Sequence, residues 1–541
     1  MNPGLVPSRL VQTQRLRVAA AFGVLAGGAL LLGPLAGSFI VAGHPEFVIF
    51  LSVLALPVLF WKVPASPLVF LAATATCIDR FADPAPDAIT GWIPLYRSFT
   101  ETYGLSGGQV LPIELVFGLA LLVWLGRAVA QRRLSFHRSH LWAGVGVLVL
   151  AALATEGLGL ARGGVFHIST WELRPYIYLA AAFLLGSQLL TSRAALLAVL
   201  WGMVIGTGLK ALEGTERVIT MASVTPRPDA LLEHEESFFF SVFIALAIGL
   251  WVFGVRGHLR RLATFLLPFV IVADLGNNRR VAWIMLPAML LALAVVAFQR
   301  LPARRKTIAW TVGLLLVLGS GYVAVFKASG SLIATPAHAI WSQFRPDPRD
   351  ASSNLYRHIE NVNLGLDIRS SPVLGEGFGV PIAHPIPVFD ATDLDPLINF
   401  IPHNNILYIW VRMGVLGMVA FWFMVGAAVV AACRLSRQED RLLALVGYLA
   451  LAATIAWLFQ GWYDKGIVSF RVVILVGCLL GGMEAARLLQ LPALLKREPP
   501  EPPAVLLPQK EEPVEEEPAT QPGLPAVPPL LPLLRPGREP G

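Results

Sequence analysis

The stretch "FIPHNNILYIWVRMGVLGMVAFWFMV", residues 400–425, decides what kind of protein this is. The apolar run that it opens continues from Ile406 to Ala432. Crossing a ~30 Å hydrocarbon core takes about 20 such residues in a helix, so the run is long enough to span a bilayer. At its mouth stands a polar triplet, His403, Asn404 and Asn405. Polar groups at such a place need water, a partner or a task.

The rest of the chain repeats the pattern. Of 541 residues, 55% are hydrophobic and only 14% charged, and the mean hydropathy is +0.65. Soluble domains carry roughly a quarter charged residues, so this composition suits lipid rather than water. Fourteen apolar runs are candidate spans, near 18–42, 46–61, 67–78, 110–128, 141–160, 175–190, 193–211, 237–255, 262–275, 281–298, 308–326, 405–432, 442–460 and 467–489. The runs at 67–78 and 262–275 are short, which leaves twelve as the lower count. The expected fold class is an all-α polytopic membrane protein of about 12–14 transmembrane helices. The first run is longer than the apolar core of a signal peptide and has no small-residue cleavage site after it, so it reads as an uncleaved span.

Charge sets the expected orientation. The sequence pI is near 9.5, but Lys and Arg fall mostly between apolar runs, which points to membrane topology and away from nucleic acid. The basic stretches at 126–140, 256–262, 299–307 and 433–441 share one face if every run is counted. By the positive-inside rule that face is cytoplasmic, with both termini there. The segments at 79–109, 161–174, 212–236 and 327–404 then fall on the outer face. The organisation expected is a short N-terminus (1–17), spans 1–11 (18–326), a large periplasmic loop (327–404), spans 12–14 (405–489) and a tail (490–541). The tail is Pro/Glu-rich and reads as disordered. Cys77, Cys433 and Cys478 lie in or beside apolar runs, with neither a disulfide framework nor metal-ligand spacing. No internal repeat stands out, which disfavours an inverted-repeat transporter.

Three outer-face features carry candidate chemistry. In "GNNRRVAW" (276–283), Arg279 and Arg280 occupy a minimal turn on the face where arginine is depleted. They either snorkel to headgroups or bind an anion, for which a guanidinium offers a planar fork of donors. In "SSNLYRHIENVNLGLDIRSSPVLGEGFGV" (352–380), Leu355, Ile359, Val362 and Leu366 recur at helical spacing. That predicts an amphipathic loop helix capped by Ser352 or Ser353, with Arg357 and His358 on its polar side. The following "GEGFG" opens no helix of a βαβ unit, and reads as a tight turn rather than a nucleotide loop. His403 is either a structural cap or a general base, since its unperturbed pKa of about 6.5 suits proton transfer. Asn404 or Asn405 is a candidate N-cap.

Other polar residues have plainer readings. Asp393 and Asp395 in "DATDLDP" form a spacing used for metal–nucleotide sugars, but their outward placement favours a solvated or loosely calcium-binding loop. Glu114 is an acid within an apolar run, near its outer end. Glu172 and Arg174 in "WELRPY" suggest a structural ion pair at an outer interface.

The order of Arg280-Val-Ala-Trp283, the Arg357 helix, "SPVLGEGFG" and "PHNNILYIWVRMGVLG" resembles the O-antigen ligase and polymerase superfamily over about residues 235–430. That resemblance implies a periplasmic glycosyltransferase of the bacterial inner membrane, metal-independent and inverting, without a cofactor. Its donor would be a glycan on undecaprenyl diphosphate, and its acceptor a hydroxyl of another glycan, lipid A core or a protein. Carried onto this chain, it implies His403 as general base and Arg280 and Arg357 as diphosphate contacts. The family often has Ser-Arg-Gly at the turn where this chain has Arg279-Arg280-Val281, so Arg279 is a further candidate contact. Glu172, Arg174, Glu114 and Asn404 are secondary candidates. A ligase, a polymerase and a protein oligosaccharyltransferase differ in acceptor, and the residues do not separate them. The alternative of another class is a transporter or flippase, which would place ionisable residues deep in the spans.

Overall fold

The structure, a computed structural model, describes residues 55–495 apart from 81–88, 92, 105–108, 132–138, 225–229 and 390–396, with isolated residues between 16 and 30. Most of the expected first span (18–42) and of the second (46–61), the Asp393–Asp395 pair and the tail beyond residue 495 therefore lie outside the described residues. The described helices pack as one compact unit up to Leu491.

Among the described residues there are 16 α-helices and no strand. They are α1 (Ala55–Lys62), α2 (Ser66–Ala75), α3 (Phe99–Tyr103), α4 (Pro112–Gln131), α5 (His140–Ala161), α6 (Phe166–Leu189), α7 (Arg193–Thr220) and α8 (Glu236–Val252). Next come α9 (His258–Asn277), α10 (Ala282–Arg300), α11 (Arg305–Phe326), α12 (Thr335–Trp341), α13 (Pro348–Ser370), α14 (Asn405–Ser436), α15 (Arg441–Tyr463) and α16 (Phe470–Leu495). A helix stands at every expected span from residue 67 onward. Eight are long and apolar enough to cross a membrane, which makes this a multi-pass helical membrane protein. The core runs through α8, α15 and α16, which are almost wholly buried, whereas α11 is exposed along its length.

Two helices reach further than hydropathy indicates. The segment expected as an outer loop at 161–174 is mostly the start of α6, and α7 extends to Thr220. In both places the charges that look loop-like are paired within the protein: Glu172 with Arg412, and Arg217 with Glu213. The large segment 327–404 contains a helix over the expected amphipathic stretch, α13, and a short helix before it, α12.

The α13 helix begins earlier than expected. Its N-cap is Asp347, whose Oδ1 accepts from the Asp350 N–H at 2.7 Å, with Pro348 at the first helical position. Ser352 and Ser353 are thus inside the helix, and the Ser353 hydroxyl faces the arginine turn.

The glycine turn that follows α13 locks onto a break in α14. Gly414 has φ 62°, and a side chain there would overlap the Val373 carbonyl. The carbonyls released at the break are used: Val411 accepts from Glu376 N–H at 2.7 Å and Arg412 from Gly377 N–H at 3.0 Å. Gly377, at φ 90°, packs directly on the backbone of Gly159 in α5. The two glycine-rich motifs therefore fit each other, and the turn is pinned to α5 and α14.

Arg412 fixes the same corner from inside. Its Nε lies 2.7 Å from Glu172 Oε1, both side chains being fully buried, and its Nη atoms donate to the Gly377, Val380 and Phe400 carbonyls. Glu172 also accepts from the Tyr408 hydroxyl at 2.9 Å and from Gly379 N–H. A second buried group joins α7, α8 and α16: Arg471 pairs with Glu236 at 2.6 Å and Glu233 at 2.9 Å, and Lys210 pairs with Asp79 at 2.7 Å.

Candidate active site

At one end of the bundle, a cavity of about 590 Å³ opens between the α9–α10 turn, α12, α13, the start of α14 and the end of α15. Helix alternation puts Arg256, Arg300, Arg305, Arg437 and Arg441 at the opposite end, so these arginines and the cavity occupy different faces.

The His-Asn-Asn triplet stands on the cavity wall, and each residue has a separate attachment. The His403 backbone N–H donates to Glu360, and its ring Nδ1 lies 3.2 Å from Glu360 Oε1. With the Glu360 carboxylate as acceptor, Nδ1 carries the proton and Nε2 is left with a lone pair. Tyr356, one turn before Glu360, meets the imidazole edge-on at 5.8 Å between ring centres. Asn404 is the N-cap of α14: its Oδ1 accepts from the Ile406 and Leu407 N–H groups, and its Nδ2 donates to Asn361 at 3.1 Å. Asn405 Oδ1 accepts from the Ile467 and Val468 N–H groups, tying the corner to the α15–α16 connection. The side chain of Glu360 is 4% exposed and that of His403 is 25% exposed, so the pair has a buried anchor and an accessible ring.

The arginine turn comes from a tight helix end. Asn278 caps α9 in the left-handed region at φ 50°, and buried Asn277 donates to the Glu233 carbonyl and Ser237. Arg280 then reaches α13, where Nη1 donates to Asn354 at 3.1 Å and Asp350 stands 3.6 Å away. Burial pushes the Arg280 pKa down and the guanidiniums of Arg357 and Arg349 add to this, against the pull of Asp350. Three guanidiniums gathered this closely favour an anion among them. Arg357 is half-buried on the cavity wall, without a hydrogen-bond or ion-pair partner among the described residues. Arg279 also lines the cavity, but its Nη2 donates, over 3.5 Å, to the Leu232 carbonyl.

A second histidine–carboxylate pair faces the same space. His234 Nδ1 lies 2.9 Å from Asp464 Oδ2. Burial would raise the Asp464 pKa, but His234 bonded to it, in its protonated form, and the Arg357 guanidinium hold it well below the usual carboxylate range. Neither His234, Asp464 nor Glu360 stands out in the sequence. Glu360 had one local signal, its place on the polar face of α13 one turn from Tyr356 and Arg357.

The cavity thus brings together Arg279, Arg280, Arg357, His403 and Asn404. It does not include Glu114, Glu172 or Arg174. Glu172 pairs with Arg412 instead of Arg174, while Arg174 pairs with Glu114 at 2.9 Å, and Glu114 also accepts from Tyr178 and the Leu111 N–H. These three residues hold helices together. His338, Asp347 and Asp350, at the cavity edge, are near enough to share a cation, but Asp347 already caps α13 and Asp350 faces Arg280. The trio Asp79, Glu233 and Glu236 is met by Lys210 and Arg471.

Comparison with curated proteins found no match. The family model described as O-antigen ligase matches residues 262–422, a segment that runs from α9 through the arginine turn, α13 and His403 into α14. This match, lying on the segments that build most of the cavity, supports membership of the O-antigen ligase/polymerase superfamily and, at family level, a glycosyltransferase.

Proposed function

We propose that this protein transfers a glycan from undecaprenyl diphosphate to an acceptor hydroxyl, in the manner of an O-antigen ligase. The observation that supports this most is the shared cavity: a histidine oriented by a buried carboxylate stands in the same walls as a cluster of arginines. His403 Nε2 takes the proton of the acceptor hydroxyl as its oxygen attacks the anomeric carbon. The bond from that carbon to the diphosphate oxygen breaks, and the undecaprenyl diphosphate leaves with the electron pair, so the configuration inverts. Arg280 and Arg357 hold the diphosphate and meet its growing negative charge, which acts more on the transition state than on the ground state. Glu360 keeps the imidazole in the tautomer that presents a basic Nε2 and stabilises the imidazolium formed. Neither a metal nor a cofactor enters these steps. The α13 wall screens the site from water and so limits hydrolysis of the donor.

In this reading the cavity faces the periplasm, the basic end faces the cytoplasm, and the membrane is the bacterial inner membrane. Acceptor identity separates a ligase from a polymerase or a protein oligosaccharyltransferase. The buried group around Lys210 and Arg471 is the observation that favours transport as a second reading. One experiment tests both. Purified protein in lipid nanodiscs is given a defined undecaprenyl-diphosphate glycan with lipid A core, a second lipid-linked repeat or a serine peptide. The expected result is glycan attached to one acceptor with release of undecaprenyl diphosphate. Transfer to none of them, together with donor translocation in proteoliposomes, would replace this reading with transport.

A further inference from the structure

At the end of the bundle opposite the cavity, two spaces join. A trench of about 310 Å³ runs between α10 and α14 over α15, walled by Ala288, Ala292, Val295 and Val296, with buried Leu451 among its lining. A basic space of about 660 Å³ adjoins it, lined by Arg300, Arg305, Arg437, Gln299 and Glu439. Gln299 and Arg437 line both, so the apolar trench opens directly into the basic space.

We propose that this is a binding site for an anionic phospholipid, independent of the reaction in the cavity. The trench has the shape for an acyl chain. Both α10 and α14 pack on α15, and Ala288 and Ala292, one turn apart, keep the wall low where a larger side chain would fill it. From Ala288 to Gln299 the helix rises about 16 Å, roughly half of a ~30 Å hydrocarbon core and so the depth of one leaflet. The mouth has the charge for a phosphate: three arginines line it with one carboxylate, Glu439, while Asp440 acts on Arg300 from outside the lining. Arg300 is already fixed, with Nη2 donating to the Glu439 carbonyl at 2.8 Å and its guanidinium over Phe253, while its buried Nη1 has no hydrogen-bond partner among the described residues. Arg305 is held over Phe298 by a bond from Nε to the Phe298 carbonyl at 3.1 Å. The guanidinium of Arg437 has neither hydrogen-bond nor ion-pair partner among the described residues. Pre-positioned guanidiniums beside a lipid-deep groove recognise a headgroup phosphate and its chain together.

The test is native mass spectrometry of the full-length, delipidated protein titrated with phosphatidylglycerol or with phosphatidylcholine of the same chains. One phosphatidylglycerol per chain should be retained at least about tenfold more tightly than phosphatidylcholine. The double variant Arg305→Gln/Arg437→Gln should weaken phosphatidylglycerol retention by on the order of 10- to 30-fold and leave phosphatidylcholine unchanged. Ala292→Phe, which fills the trench, should weaken both lipids. Inorganic phosphate alone should not raise the melting temperature, because it lacks the chain. Equal retention of the two lipids by the wild type, wild-type retention by either variant, or stabilisation by phosphate equal to that by lipid would each overturn the proposal.

Discussion

His403 and Glu360 form a bonded pair across 43 positions of sequence: the ring Nδ1 and the backbone N–H of His403 both point to one buried carboxylate. The first contact sets the tautomer and the second sets the position of the residue. Glu360→Gln keeps the shape but loses the charge that stabilises an imidazolium. Because Glu360 positions the base rather than touching substrate, kcat should fall about 10²-fold with little change in the donor KM. An unchanged kcat, or a donor KM that rises as much as kcat falls, would remove Glu360 from the positioning of the base.

The arginines separate phosphate binding from membrane anchoring. Lysine reaches a headgroup as well as arginine does, but supplies no paired fork. Charge-assisted bonds are worth roughly 1.5–3 kcal/mol each, so Arg280→Lys and Arg357→Lys should each slow transfer by about 10- to 100-fold while the protein stays inserted. Arg279→Lys should be milder, since its bond runs to the Leu232 carbonyl. Transfer rates across a donor titration at saturating acceptor measure this, and wild-type rates for both Arg280→Lys and Arg357→Lys would remove the diphosphate clamp.

Arg412 should matter for folding rather than chemistry. Arg412→Ala leaves the Glu172 carboxylate buried without its partner and strands three backbone carbonyls. Breaking a buried pair in this way typically costs about 3–5 kcal/mol, so the variant should melt markedly lower in detergent. Replacing both residues, as Glu172→Gln/Arg412→Met, should recover part of the loss. A thermal melt of the wild type and the two variants checks this order.

The glycine turn should carry a pH dependence. Burial, with Asp367 adding to it, raises the Glu376 carboxyl from 4.5 to about 7, and its buried Oε2 has no hydrogen-bond partner among the described residues. Between these values the folded protein binds a proton that the unfolded chain has released. The contribution of Glu376 to stability is therefore complete below pH 4.5 and is lost as pH rises through about 7. Glu376→Gln should remove that part of the decline, seen by comparing melting temperatures of the two proteins from about pH 4.5 to 8.

Much of the frame is legible in the chain because hydropathy and helical spacing are local signals. The span opening at Ile406, the loop helix around Arg357 and the arginine turn at 279–280 are all readable in this way. The parts that are not depend on distant partners. Hydropathy takes Glu172 for a loop residue, because nothing nearby reveals that Arg412 neutralises it inside α6. Glu360 and Asp464 look like ordinary polar residues until α13 and the end of α15 place them beside His403 and His234. The start of α13 does have a local signal: Asp347-Pro348 is a cap followed by a first-turn proline, which outweighs Ser352 and Ser353.

The most direct test of the central claim is the transfer rate of purified His403→Ala with a defined undecaprenyl-diphosphate glycan and the acceptor that the wild type uses. Donor binding, measured separately, should stay near wild type because Arg280 and Arg357 are untouched. Transfer should fall by ~10²–10⁴-fold, the usual cost of losing a general base. A folded, inserted His403→Ala protein that transfers glycan at close to the wild-type rate would contradict the account.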